Sequence, residues 1–207
     1  MSQFFQIHPE NPQTRLIRQA ADIIRQGGLA VFPTDCAYAL ACRVGDKKAT
    51  ERVQRMRQLD ARHNFTLLCR DLSELSSFAK VDNTQYRLLK AHTPGAYTFI
   101  LPATKEVPRL LMNPKKRTIG IRVPDNAIAM ALLEEMGEPV MTSSLIMPGD
   151  DLPLSDPYDI RQTLENQLDL IVDGGYCGFE ATTVVDMTEE SPVLVRQGVG
   201  DASVFLD

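Results

Sequence analysis

Apolar residues recur along this chain in two rhythms, one spaced at three and four residues and one packed into short continuous runs, and the two alternate almost from end to end. Leu16, Ile17, Ala20, Ile23 and Ile24 make one helical face. Asn11 and Pro12 suit its N-cap and first turn, and Gly27 and Gly28 suit its end. The run "LAVFPT" reads as a buried strand and "YALACRV" as a second. "KKATERVQRMRQL" reads as a basic helix with Val53 and Met56 inward, leading through "DARHN" into the strand "FTLLC". Asp71 with Glu74 starts the helix "LSELSSFA", and Pro94 with Gly95 terminates the helix "NTQYRLLKAHT".

The second half keeps the style without repeating the sequence. "AYTFILPA", "RTIGIRVP", "PVMTSSLI", "LDLIVDGG", "TTVVDM" and "PVLVRQG" read as strands, and "NAIAMALLEEMG" as a helix. The loop "MPGDDLPLSD" leads to a helix capped by Asp156 with Pro157 at its first position. Strands so continuously apolar are buried only where helices cover them. The pattern therefore predicts an α+β, α/β-like fold, a single three-layer domain over residues 1–207 around a twisted, mixed parallel and antiparallel sheet. No linker, repeat or low-complexity tract divides it.

Composition narrows the classes. A chain of 207 residues that is 43% hydrophobic and 24% charged is globular, not disordered. Its apolar runs are strand length, which excludes a membrane span, and "MSQFFQIHPE" lacks the basic and apolar regions of a signal peptide, so a cytoplasmic location is expected. Cys36, Cys42, Cys69 and Cys177 form no CxxC pair and lie in apolar segments, which reads as buried reduced thiols. A net charge of -5 argues against non-specific coating of nucleic acid but leaves room for a local basic face. "NPKKRTIGIR" concentrates Lys115, Lys116, Arg117 and Arg122, and the helix around Arg52, Arg55 and Arg57 adds more. Both runs are expected to rim a crevice for an anionic ligand.

The candidate chemistry sits at strand ends, where sheet-based sites are built. Thr34 and Asp35 end one strand, Arg122 another, and Thr142, Ser143 and Ser144 a third; Thr182 and Thr183 open a fourth, and Arg196 closes a fifth. Guanidinium forks and hydroxyl donors match phosphate oxygens, so their convergence would suit an oligophosphate. Spacing alone leaves open that the threonines are strand formers and the arginines solvated ends. His8, His63 and His92 are scattered and form no Ser–His–Asp order, and neither a GxxxxGK[ST] nor a GxGxxG loop is present.

Taken together, the segments resemble the YrdC-like family, which includes the threonylcarbamoyl-AMP synthases, and within it the YciO branch. "FPTDCAYAL" resembles that family's PTDTvYGL, "PGAYTFIL" its PGpxTlIL, "TIGIRVPD" its tvgvRvPd, "PVMTSSL" its pvvtTSAN, "IVDGG" its DgG, "TTVVD" its STVVD and "VLVRQG" its vlRpGai. The resemblance implies the YrdC-like fold and synthesis of threonylcarbamoyl-AMP from L-threonine, bicarbonate and ATP with release of pyrophosphate, the chemistry of tRNA threonylcarbamoyladenosine modification. ATP would be a substrate accompanied by Mg2+, with no dedicated protein metal site. The alternative that the family implies is a non-catalytic module binding double-stranded RNA or tRNA, through Lys115, Lys116, Arg117 and Arg55. A sugar-phosphate lyase of similar fold is the third choice.

Carried over by residue, the resemblance puts Thr34 and Tyr38 on the substrate side, and Arg122, Ser143, Thr182 or Thr183, and Arg196 on the nucleotide; Arg57 and Ser143 would be catalytic. Departures from the family pattern fall at four places. Its KxR motif reads "RQL", with Arg57 for lysine and Leu59 for arginine, and its SxN motif reads "SSL", with Leu145 for asparagine. Cys36 and Ala39 replace its threonine and glycine. Leu59 and Leu145 cannot donate to a phosphate, so the resemblance implies a weakened or retargeted synthase, with Arg62 and His63 as candidates to substitute for the missing groups.

Overall fold

The computed structural model describes residues 1–60 and 63–206. The strands are β1 (Gln3–Gln6), β2 (Ala30–Phe32), β3 (Ala39–Arg43), β4 (Thr66–Leu68), β5 (Tyr97–Pro102), β6 (Thr118–Arg122), β7 (Val140–Ser144), β8 (Leu170–Asp173), β9 (Thr183–Asp186) and β10 (Val193–Arg196). The helices are α1 (Thr14–Arg25), α2 (Lys47–Arg57), α3 (Leu72–Phe78), α4 (Asn83–His92), α5 (Ala127–Met136) and α6 (Pro157–Leu164). Local chemistry sets the helix starts: the carboxylates of Asp46, Asp71, Asp82 and Asp156 and the amide oxygen of Asn126 each accept a backbone N–H of the first turn. At the C-terminus of α5, Gly137 adopts φ 67°, the left-handed turn that suits glycine.

Helix α1 begins later than its sequence predicts. Asn11 and Pro12 do not cap it; Gln13 precedes the first turn and offers no side-chain cap. The reason lies upstream, where His8 Nδ1 accepts the N–H groups of Glu10 and Asn11, and Gln13 Oε1 accepts the N–H of His8. These bonds close residues 8–13 into a turn of their own. Strand β1 was not predicted either, because two phenylalanines between glutamines are too short a signal; it forms by pairing parallel to β8, Phe4 opposite Ile171.

All ten strands join one sheet in the order β1, β8, β2, β3, β7, β4, β6, β5, β9, β10. The pairs β1/β8, β2/β8, β4/β6 and β5/β9 are parallel and the others antiparallel, so the sheet is mixed and flanked by helices as expected. On one face α2, α3, α4 and α6 bury Leu40, Leu67, Phe99, Ile121 and Val185. On the other, α1 and α5 pack together over Ala30, Phe32, Ala41, Leu68, Val140, Leu170 and Val172. The register carries that second face onward, Val140 opposite Leu68, Leu68 opposite Arg122, and Val184 opposite Arg196. Beyond Leu68 no helix among the described residues covers it, and the face becomes the wall of a cavity. No helix of the described chain is long and apolar enough to cross a membrane.

Candidate functional site

The cavity measures about 520 Å³, and its floor is a stripe of small and hydroxylated residues: Thr142, Thr66, Gly120 and Ile100 lie side by side on four adjacent strands. Thr98 and Val184 continue it toward β10. Three guanidinium groups, Arg57, Arg122 and Arg196, come to it from α2, β6 and β10, and no carboxylate is among the described residues that line it.

Arg122 stands at the centre, 7% exposed. Its Nη2 pairs with Asp35 Oδ1 and donates at 3.3 Å to Thr34 Oγ1. Thr34 in turn donates to the carbonyl of Ala37 at 2.6 Å and accepts the N–H groups of Cys36 and Ala37. The turn after β2 is therefore folded around one hydroxyl, and Thr34 buttresses Arg122 from behind without lining the cavity. Nε of Arg122 and Oδ2 of Asp35 are buried with no hydrogen-bond partner among the described residues.

At one end, Arg57 in the last turn of α2 donates through Nε to the carbonyl of Ile146 at 2.9 Å and through Nη1 to Ser143 Oγ. His63 brings Nε2 to 3.5 Å from the same hydroxyl, and its ring meets Phe65 edge-on at 5.2 Å. Burial lowers the pKa of His63, the Arg57 charge lowers it further, and Asp60 works against both. At the other end, Arg196 Nε and Nη2 donate to the carbonyl of Thr182 at 3.1 and 2.9 Å, and Thr182 Oγ1 lies 2.8 Å from Thr98 Oγ1.

Alternation along the chain separates Thr182 from Thr183. Thr182 lines the cavity, whereas Thr183 is fully buried, donates to the carbonyl of Gly200 at 2.5 Å and accepts the N–H of Gly198 at 3.0 Å. Its hydroxyl fastens the chain beyond β10 and does not face a ligand. Tyr38 forms part of the wall, but its hydroxyl donates to the carbonyl of Gly175 at 2.7 Å and accepts the N–H of Gly174; burial raises its pKa strongly.

Each basic run reaches the cavity through one residue, Arg122 from the first and Arg57 from the second, and the side chains of the others do not line it. Lys115, Lys116 and Arg117 precede β6, at the opposite end from Arg122; at about 3.3 Å per residue they stand roughly 15 Å away along the strand. Lys116 faces Asp186 at 3.8 Å. Arg55 borders a separate shallow depression with Arg52, Met147 and Gln167, where Arg52 is paired to Asp169 at 2.8 Å. The two departing leucines are not at the cavity either: Leu145 is fully buried in the core and Leu59 packs against that core. Arg62 lies outside the described residues, and His63 and Asn64 are nearby polar groups that reach the cavity. Sequence reading reached His63 only through the resemblance, as a candidate substitute for the missing groups, because it belongs to a loop with no period. It passed over Thr66 and Thr98 because their strands read as uniformly apolar, although both threonines share the parity of their cavity neighbours.

The four cysteines are unpaired, with Cys36 in the cavity wall, and no group of three or more His, Cys, Asp or Glu is placed to hold a metal among the described residues.

A family model named for Sua5, YciO and YrdC and described as telomere recombination matches residues 22–198. The chain is 59% identical over 206 residues to the uncharacterized protein YciO of Escherichia coli, covering all of both chains, and superposes on a crystal structure of E. coli YciO with a TM-score of 0.96. It is 31% identical over 185 residues to a threonylcarbamoyl-AMP synthase of Pyrococcus abyssi, covering 88% of this chain and 54% of that one. A crystal structure of P. abyssi Sua5 complexed with L-threonine matches with a TM-score of 0.88 at 28% identity, over 95% of this chain and 58% of that one.

Proposed function

The chain belongs to the Sua5/YciO/YrdC family, and from that membership and the cavity we propose that it binds ATP and acts as a weak or retargeted enzyme of the threonylcarbamoyl-AMP synthase type. One observation carries the reading: three guanidinium groups from three separate elements surround a cavity of about 520 Å³ that no described carboxylate lines. That volume suits one small ligand, and its charge selects an anionic one. Arg122, buried, lining the cavity and held by Asp35 and Thr34, fixes one of these positive charges in place for a phosphate or carboxylate oxygen.

In this chain's own terms, Arg122 and Arg196 hold anionic oxygens, and the Thr98 and Thr182 hydroxyls orient them. Arg57 keeps Ser143 fixed at the far end, so positioning and charge neutralisation supply the catalysis. Mg2+ would enter with the nucleotide and neutralise phosphate charge. L-threonine and bicarbonate are the co-substrates that the related synthases suggest. The loss of donors at Leu145, buried in the apolar core, and at Leu59, packed against it, is the reason to expect slow or redirected turnover. RNA binding through Lys115, Lys116, Arg117 and Arg55 forms no part of this proposal, since none of those side chains lines the cavity.

The test is isothermal titration with ATP and Mg2+, joined to pyrophosphate release with ATP, bicarbonate and L-threonine. ATP should bind, and Arg196→Ala should weaken it roughly 10- to 150-fold, the equivalent of about 1.5 to 3 kcal/mol for a charged hydrogen bond. Absence of ATP binding by the native protein overturns the proposal.

A further inference from the structure

The chemistry proposed above, on which this inference rests, includes one proton that the protein must accept. An amino-acid amine joins carbon only as the neutral amine, and the bond leaves a proton to be removed; the resulting carbamate then attacks phosphorus as an anion and needs no further base. The described residues lining the cavity offer few acceptors for that proton. None is a carboxylate, the three arginines stay charged, and the Tyr38 hydroxyl is already engaged with Gly174 and Gly175. His63 is the imidazole among them.

Its surroundings favour the role. Arg57 Nη1 donates to Ser143 Oγ, which leaves the serine's own hydrogen free for another acceptor, and His63 Nε2 stands 3.5 Å from that hydroxyl, placed to accept it when the ring carries its hydrogen on Nδ1. Such contacts are commonly long before substrate binds and shorten in the reacting complex. We propose that His63 is the general base of this cavity, taking the proton of the substrate amine at Nε2, directly or through the Ser143 hydroxyl, as nitrogen bonds to the carbon of bicarbonate. In that step the amine, having first lost its ammonium proton to solvent, forms the N–C bond with the nitrogen lone pair, a C–O bond of bicarbonate breaks, and hydroxide departs. The N–H proton passes to Nε2 and then to the hydroxide. Amine plus bicarbonate thus yields carbamate plus water, with nothing left over. The charged groups that face the ring are Arg57 from α2 and Asp60 from its own loop, while β7 contributes the neutral Ser143; burial and Arg57 together keep the ring unprotonated at neutral pH.

His63→Gln keeps the size and polarity of the site and removes the base. Pyrophosphate release from ATP, bicarbonate and L-threonine should fall about 100-fold or more, while ATP affinity by titration calorimetry changes less than about twofold. The native rate should decline as pH falls below about 6.5, and the variant should lack that acid limb. In His63→Ala, added imidazole should restore part of the rate. Wild-type turnover in His63→Gln, persistence of the acid limb, or failure of imidazole rescue in a folded His63→Ala overturns the assignment. ATP binding by the native protein without amine-dependent turnover also overturns it while leaving nucleotide binding intact; absence of ATP binding instead strikes the reading on which it rests.

Discussion

Two halves of one sheet face differ in what covers them, and the boundary runs through individual strands. Under α1 and α5 the face presents Val140 on β7 and Leu68 on β4, both buried in an aliphatic cluster. Two residues along the same strands, and on the same face, it presents Thr142 and Thr66 to the cavity. The next strand continues with Gly120 and Arg122, and the open half ends on Arg196. Strands of identical geometry thus carry aliphatic residues where a helix excludes water, and hydroxyls, glycine and guanidinium where a ligand is to replace it. The leucines at the departing motif positions lie in neither half: Leu145 is buried in the core on the opposite face of the sheet and Leu59 packs against that core, although the family pattern would have both serve the cavity. Placing polar groups in the closed part or in that core should be costly, and removing them from the open part should cost function rather than stability.

The largest effect should come from Leu145→Asn, the change that restores the family's SxN motif. It removes a fully buried leucine and places an amide among apolar neighbours. The loss should be about 4 to 6 kcal/mol, combining a large-to-small core change with an unpartnered buried amide, read as a drop in the urea midpoint at unchanged m-value. Threonine-dependent pyrophosphate release should not rise. A stable variant with higher turnover would show that position 145 is within reach of the cavity.

Next comes the pair at the boundary. Asp35→Ala strands Arg122 without its carboxylate partner, at a cost of about 3 to 5 kcal/mol for a broken buried pair. Asp35→Leu with Arg122→Met should recover most of that stability and abolish ATP binding. If the single change costs under about 1 kcal/mol, solvent already reaches the pair and the boundary lies deeper in the covered half.

A smaller contrast compares neighbours on β4. Leu68→Ala should lose about 2 to 4 kcal/mol, because α1 and α5 cannot close over the gap. Thr66→Ala, two residues away on the same face, should lose under about 1 kcal/mol, because the cavity already stands open there. Equal losses in chemical denaturation would mean that coverage does not govern this face.

The division also explains what could be read in advance. Helix and strand periods located the long elements, since burial against a partner layer dictates them, and strand ends pointed to Arg122, Ser143, Thr182 and Arg196, which do share the cavity. The side chain's direction was less legible. Thr182 and Thr183 look equivalent in "TTVVD", and only the pairing of β9 decides that the second threonine turns to Gly200. Proximity to Arg122 in sequence also misled: Lys115 through Arg117 are near it along the chain, and the length of β6 carries them to the other end. His63 was reached by neither argument, because its position depends on where a loop crosses the end of β7.

His63 provides the smallest effect and the finest probe of the open half. Its pKa in the folded protein is lowered, chiefly by burial and then by Arg57, so below about pH 6.5 the unfolded chain binds a proton that the folded chain resists. The unfolded state then holds more protons, and stability must rise with pH across that window and fall as the solution is acidified through it. Glu74, whose pKa burial raises, has the opposite sign, favouring the folded state at low pH and losing that contribution as pH rises above about 4.5, its ordinary value. The two contributions therefore oppose each other where their windows meet, and comparing His63→Gln with the native protein isolates the histidine. Urea midpoints measured at about pH 7.5 and about pH 5.5 should fall more for the native protein than for His63→Gln. A parallel decline in both would mean that water hydrates the ring as fully as in the unfolded chain, leaving the Arg57–Ser143 end of the cavity as open as bulk solvent.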